Sequence, residues 1–422
     1  MATVFAGLMC HAPIVIPELS GQDALQCVST TRAMREVAAR AVASRPDRVV
    51  LISPHSPRLQ GGFGAWSGRH QGDLADFRCP QVSVDLPDAP EVAQALDLPP
   101  IPSPKARPPP PRQHWLDHGA MVPLHFLWQA GWRGPTAILA LPWGPARQAE
   151  ELGRALAALP GRTAVIASGD MSHRLKPGAP SGYHPDAAAF DHAFVAALRA
   201  GSWTEAVRAE HRDLAAEDVV DSTRVAMAAA GYPHNAEVLS YEGPWGVGYT
   251  EAVLYDESPP LYALARQAVA AAADGYRLPP PNGGPRSQGV FVSLHRHGEL
   301  RGCMGHVAPQ HGSLYAEVLD VANLASTQDP RFPPLDPSEL GDLDIEVSVL
   351  EPPEPVHDLA ELDPHTYGVI VRSGRKGALL LPDLAGLDTV QQQLAAVRRK
   401  AGIGPTEPIE VQRFTVRKEV AP

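Results

Sequence analysis

Cysteine is scarce: Cys10, Cys27, Cys79 and Cys303 are the four in 422 residues, and no two form a C-x-x-C pair. With that spacing neither a disulfide framework nor a thiolate zinc site is indicated. Basic runs are absent as well, and the net charge is −11 at pH 7, which argues against nucleic acid as a partner. No apolar run is long enough to span a bilayer. The first residues, MATVFAGLMCHAPIVIPE, lack a basic region and are interrupted by His11 and two prolines, so they do not read as a signal peptide. The expected setting is the cytoplasm, with no membrane partner. Oligomeric state is left open.

What is present is a chain with core to spare. Hydrophobic residues make up 44% and charged residues 20%, the balance of a globular protein of about two domains. Forty-five prolines fall mainly in connecting segments, including PPIPSPKARPPPPR near 99–112, which reads as a surface loop of polyproline II character.

The first half is organised around strands that stop at histidines. Arg48 to Ile52 is a β-branched apolar run suited to a strand buried on both faces, and it ends in Ser53-Pro54-His55. Proline removes a backbone donor and disfavours helix before it, so His55 lies just past a strand end. Thr3 to Met9 repeats the pattern and delivers His11 before Pro13. Thr163 to Ser168 does so again, ending in Gly169-Asp170-Met171-Ser172-His173. Between them, Leu116-Asp117-His118-Gly119 reads as a turn, with Gly119 as its conformationally free residue and a helix from Val122 to Gln129. Further strands are expected at 81–86, 136–141, 236–241 and 249–255. Helices are expected at 23–44, 90–96, 146–159 and over much of 185–230. Strand–helix alternation over about 250 residues predicts an α/β sandwich, and parallel strands would bring their histidines to one sheet edge.

The texture changes near Asp256–Pro260. An amphipathic helix at 261–273, strands at 290–294 and 345–350, and a helix at 313–327 between them predict a smaller α+β domain. The expected domains are therefore residues 1–256 and 257–422.

Two imidazoles and one carboxylate suit a divalent transition metal and leave positions open for oxygen and substrate. His11 and His55 are the candidate imidazoles. The alternative is that these histidines only hydrogen-bond loop backbone. A further histidine outside the ligand set has the ordinary pKa for acid–base work.

The first 255 residues resemble the LigB superfamily, the class III extradiol ring-cleavage dioxygenases together with the Memo proteins. The resemblance rests on CHAPIVIPE with His11, SPHSP with His55, LDHGAMVPL with His118, SGDMSH with His173, and SYEGPWGVGY. It implies a LigB/Memo-like α/β sandwich with a mostly parallel central sheet. It also implies that His11 and His55 hold iron(II), with zinc or copper as alternatives. His173 would then deprotonate a catecholic substrate and His118 would line the pocket near substrate and O2. The third ligand falls in Leu214–Asp221. Glu217 is the first choice, Asp218 and Asp221 are its rivals, and Glu242 and Glu251 are more distant alternatives.

Residues 261–420 resemble the Ammecr-type domain, through LRGCMGH at 300–306, QDPRFPPL, IEVSVL at 345–350, GRKGALLLP at 374–382 and Lys400-Ala401-Gly402. This domain belongs to the association called AmmeMemoRadiSam, which implies a radical-SAM partner. The chain has no C-x-x-x-C-x-x-C motif, so radical chemistry would come from another protein. Gly302 and Gly305 suggest close backbone approach around Cys303. Cys303 reads either as a nucleophile activated by Arg301 and His306 or as a small residue in a tight corner. Asp329-Pro330-Arg331-Phe332 reads equally well as a structural turn.

Overall fold

Seven residues, Thr3–Met9, form strand β1, and every one is buried. The same holds for β2 (Arg48–Ser53). Next come the short β3 (Gly64–Ala65), the hairpin of β4 (His70–Leu74) and β5 (Cys79–Leu86), and the buried strands β6 (Thr136–Ala140) and β7 (Thr163–Ser168). β8 (Glu237–Glu242) and β9 (Tyr249–Asp256) complete the first half. The computed structural model describes residues 2–101, 116–143, 148–204, 212–233, 236–280 and 284–421. Most of the proline-rich stretch lies outside them, as do the start of the helix expected from Ala146 and part of 185–230.

The chain divides into two compact units, Met1–Ser258 and Pro259–Pro422. In the first, seven strands pair in the order β3-β6-β2-β7-β1-β9-β8. β6, β2, β7 and β1 are mutually parallel, while β3, β9 and β8 join antiparallel at the margins. The sheet is mostly parallel, and its residues alternate between two apolar layers. Leu8, Val50 and Ile52 pack into one layer, whereas Phe5, Met9, Val49 and Leu51 pack into the other. Covering both faces is why these strands read as continuous apolar runs.

β7 lies between β1 and β2 and fixes where both stop. Met9 is opposite Ser168, and Ile52 is opposite Ala167. Both strands therefore release their histidines at one edge, on either side of the segment that follows β7.

The crossover between β1 and β2 is the helix Val28–Ala43, entered through a 3-10 turn at Gly21–Gln26; the unbroken helix expected from Asp23 is thus divided. Arg40 of this helix is buried and binds β8 and β9. Its Nη1 lies 2.7 Å from Glu237 Oε2 and its Nε 3.0 Å from Asp256 Oδ2.

The second unit contains β10 (Val290–Arg296), β11 (Glu299–His306), β12 (Leu343–Leu350), β13 (Glu354–Pro355), β14 (Gly368–Ser373), β15 (Lys376–Leu380), β16 (Glu410–Phe414) and β17 (Val416–Val420). They form two antiparallel sheets, β11-β10-β12-β17 and β13-β16-β14-β15. Helices Leu261–Ala273 and Leu314–Thr327 pack with the first sheet around Leu264, Val292, Val318 and Val347. Helix Val390–Ala401 packs with the second around Val369, Val371 and Val397. Among the described residues no helix is long and apolar enough to cross a membrane.

Candidate metal centre

His11 follows β1 and is 1% exposed. Its backbone N–H donates to Asp170 Oδ1 at 2.9 Å, so the segment after β7 holds the segment after β1. Its ring nitrogen Nδ1 lies 2.9 Å from Ser168 Oγ. Ser168 spends its own proton elsewhere, donating at 2.6 Å to the carbonyl of Gly119. Nδ1 of His11 must therefore carry a proton, which makes Nε2 the nitrogen a metal ion would take.

The carbonyl of Gly119 is available because of a proline. Four residues on, Pro123 lies inside the helix His118–Gln129 and has no N–H to return to it. A helix defect thus fixes an imidazole tautomer one strand away.

His55 follows β2, and its Nε2 lies 3.0 Å from His11 Nε2. Its loop is tied down by Asp117, whose two carboxylate oxygens accept from Ser53 Oγ at 2.6 Å and Ser56 Oγ at 2.7 Å. Asp117 also caps the helix, accepting from the Ala120 N–H at 3.0 Å. The helix consequently starts at His118, a full turn before the expected Val122. His118 faces the other two rings, with centroids 4.2 Å from His55 and 5.5 Å from His11. Gly119 is required for a reason other than the expected backbone freedom. It is helical, and a Cβ there would lie 2.6 Å from Ser53 Oγ and 3.2 Å from His55 Cδ2.

The carboxylate that reaches both imidazoles is that of Asp218, while Asp170 Oδ2 lies 3.7 Å from His11 Nε2 alone. Asp218 Oδ2 lies 3.2 Å from His55 Nε2 and 3.5 Å from His11 Nε2. A reciprocal clamp holds it there: Asp170 N donates to Asp218 Oδ1 at 2.7 Å, and Asp218 N donates to the Asp170 carbonyl at 3.2 Å.

Glu217, the first choice from sequence, is turned away. It pairs with Arg212 Nε at 2.5 Å and accepts the Val220 N–H at 2.9 Å, serving the start of helix Val220–Ala229. Asp221 faces Arg212 and Arg224, at 3.5 and 3.8 Å. Glu242 accepts from Thr30, and Glu251 is buried against Ser240. The nearest signal for this division was Arg212, five residues before Glu217, which gives that side chain a partner of its own.

The electrostatics favour a cation between these groups. Burial opposes charge on His11, yet Asp170 and Asp218 outweigh it and push its pKa up to about 9. Burial also opposes charge on Asp218, but His11 and His55 hold that carboxyl far below the usual carboxylate range. Burial, followed by His55 and His11, pushes His118 down to about 4, so it is neutral near pH 7. His11, His55 and His118 each offer a nitrogen within 4.8 Å of the others. A buried carboxylate facing two imidazole Nε2 atoms is a donor set that suits a divalent transition metal.

His173 stands at the end of the segment that carries Asp170. Its Nδ1 lies 3.1 Å from the Met171 carbonyl, so the proton is on Nδ1 and Nε2 is available as a base. The turn is held by Asp191, whose two oxygens accept from Ser172 N at 2.8 Å and Tyr241 Oη at 2.9 Å. Burial pushes the Asp191 pKa up to about 7.

In the second unit, the residues expected to activate Cys303 are engaged elsewhere. Arg301 Nη2 lies 2.9 Å from Glu339, and His306 Nδ1 lies 2.8 Å from Glu317. Cys303 N donates to Asp329 Oδ2 at 2.8 Å, and Arg331 binds the same carboxylate at 2.7 Å, so the Asp329–Phe332 turn braces β11. Gly302 does meet a close backbone approach, since a Cβ there would lie 2.4 Å from the Ala325 carbonyl oxygen.

A mostly parallel sheet with a histidine–carboxylate cluster at one edge defines a class, and comparison with known proteins gives the family. Residues 6–251 match the family described as the catalytic LigB subunit of aromatic ring-opening dioxygenase, and residues 262–419 match AMMECR1. The chain belongs to the LigB family, with an AMMECR1 domain following. A Clostridium acetobutylicum protein is 31% identical over 461 aligned positions, covering 97% of this chain and 98% of its own length. A Thermotoga maritima protein is 50% identical over 135 residues, covering 32% of this chain and 78% of the relative. Among solved structures, an uncharacterized Pyrococcus horikoshii protein has a TM-score of 0.35 at 33% identity, covering 37% of this chain and 88% of its own. An uncharacterized Escherichia coli K12 protein has a TM-score of 0.40 at 21% identity, covering 59% of this chain and 98% of its own.

Proposed function

We propose that the first unit is a metal-dependent, extradiol-type ring-cleaving dioxygenase for a catecholic or related aromatic substrate. The observation that carries this is the meeting of His11 Nε2, His55 Nε2 and Asp218 Oδ2, with separations of 3.0, 3.2 and 3.5 Å. These three residues would hold the metal, with Asp218 in the role the sequence offered first to Glu217. Two nitrogens and one carboxylate form the donor set of non-haem iron(II) oxygenases, which favours iron over zinc or copper. Bound there, iron(II) would supply chelation of the substrate's adjacent oxygens and a site for O2.

The chain's own residues supply the rest. Ser168 fixes the His11 tautomer and Asp170 fixes its backbone. His173, whose Nδ1–H is held by the Met171 carbonyl, presents Nε2 to remove a proton from a substrate hydroxyl, a contribution of roughly 10²–10⁴-fold. His118, neutral near pH 7, faces His55 and provides an uncharged polar wall beside the substrate.

The test is O2 uptake by anaerobically purified, iron(II)-loaded protein against a catechol panel, with the ring-opened product followed by absorbance. His173→Ala should slow turnover by roughly 10²–10⁴-fold while keeping its metal. Absence of O2 uptake with every catechol, or loss of metal in His173→Ala, overturns the reading.

A second reading is favoured by the AMMECR1 match over residues 262–419. A simple catabolic dioxygenase has no need of that domain, and the fused pair could serve a radical-SAM protein in modifying a small molecule or protein. Co-purification of an iron–sulfur protein, together with inactivity toward catechols, would favour it.

A further inference from the structure

The second unit carries a histidine–carboxylate cluster of its own. His306 is the last residue of β11, and His311 lies in the loop that leads to the helix Leu314–Thr327. Glu317, fully buried in the first turns of that helix, organises both. Its Oε2 lies 2.8 Å from His306 Nδ1, and its Oε1 accepts from the backbone N–H groups of Gln310 and His311 and from Ser287 Oγ. With Glu317 accepting its Nδ1 proton, His306 keeps a free Nε2.

That free nitrogen faces the neighbouring imidazole and a second carboxylate. Asp320 is three residues beyond Glu317 and therefore on the same helix face. Its Oδ2 lies 3.2 Å from His311 Nε2 and 3.8 Å from His306 Nε2. The two rings stand with centroids 6.1 Å apart and planes inclined by 34°. In a tetrahedral site with bonds of about 2.0–2.2 Å, donor atoms lie about 3.3–3.6 Å apart. The two observed separations bracket that spacing.

We propose that His306, His311 and Asp320 form a binding site for a divalent transition cation of the zinc class. Glu317 acts as the positioning carboxylate that orients His306 from behind, an arrangement common around metal-bound histidines. Holding the loop accounts for Glu317 alone. It does not account for two imidazole nitrogens converging on one oxygen of Asp320. His311 is 38% exposed, so its ring stands on the solvent-facing side of the cluster. Arg277 occupies the other oxygen of Asp320, at 3.2 Å from Oδ1, and leaves Oδ2 to the cation. His311 and Asp320 also border a groove with Arg277, Leu278, Pro280 and Asn323, which gives the cation access from solvent. Three protein ligands leave a fourth position for water or a bound group.

The test is calorimetric titration of the chelator-stripped full chain with zinc chloride, alone and as the His311→Ala, Asp320→Asn and His55→Ala variants. Wild type should take up two equivalents. His311→Ala should lose one, Asp320→Asn should weaken the same one, and both should keep the equivalent that His55→Ala removes. His55→Ala should still bind one equivalent. If His311→Ala keeps both equivalents, or if His55→Ala binds none, the second site does not exist. A wild type that binds one equivalent, lost in His311→Ala and kept in His55→Ala, upholds this site and overturns the one in the first unit.

Discussion

Replacing Ser168 by alanine isolates the relay from Pro123 to the proposed metal centre. The hydroxyl accepts from His11 Nδ1 at 2.9 Å and donates to the Gly119 carbonyl at 2.6 Å, with Ser168 0% exposed and His11 1% exposed. Removing it leaves one buried donor and one buried acceptor unpaired, each costing about 1–3 kcal/mol. The Gly119 carbonyl cannot recover its partner within the helix, because Pro123 has no N–H to offer. The loss should also release the His11 tautomer, and deleting such outer partners of a ligand lowers metal affinity by about 10–100-fold. Urea denaturation of the metal-free protein reads the first effect, and zinc or iron(II) titration reads the second. A Ser168→Ala protein that matches wild type in affinity at the His55-dependent site would refute the tautomer argument, whatever its stability.

Arg40→Ala should destabilise the first unit by about 3–5 kcal/mol, because it leaves the buried carboxylates of Glu237 and Asp256 without their cation; a change under 1 kcal/mol in chemical denaturation would contradict this. Asp191, with its pKa raised to about 7 from the ordinary 3.8, favours folding in its protonated form. That contribution is complete below about pH 4 and is lost as the pH rises through 7, so Asp191→Asn should flatten the fall in urea midpoint between those values. An unchanged pH profile would remove Asp191 as its source. Gly119→Ala drives a Cβ to 2.6 Å from Ser53 Oγ and toward His55, so it should cost about 1–3 kcal/mol and weaken metal binding together; a stable variant with intact affinity would count against the close-approach argument.

The parallel core was legible because it is covered on both faces. Continuous apolar runs at β1, β2 and β7 left no other reading, and the proline after each of the first two marked where the histidines emerge. The first-unit imidazoles and the residues of the Asp170–His173 turn could be named for the same reason. The choice among carboxylates could not. Glu217 and Asp218 are adjacent, and what separates them is that Arg212 and the Val220 N–H engage one while Asp170 clamps the other. Those partners are set by tertiary packing. The start of the helix at His118 was missed because Asp117 looked like a turn residue, whereas it caps the helix and ties down two serines of the His55 loop. The second sheet of the C-terminal unit carries no strong period: β16 buries only Phe414 fully, and β15 only Leu379.

The most direct measurement is the metal content of the anaerobically purified chain beside its His55→Ala, Asp218→Ala and Glu217→Gln variants, by elemental analysis. The proposed iron site predicts that His55→Ala and Asp218→Ala each lose one equivalent of iron relative to wild type, while Glu217→Gln keeps it. Equal metal content in wild type, His55→Ala and Asp218→Ala would contradict the metal centre, and the ring-cleaving chemistry proposed for it would fall as well.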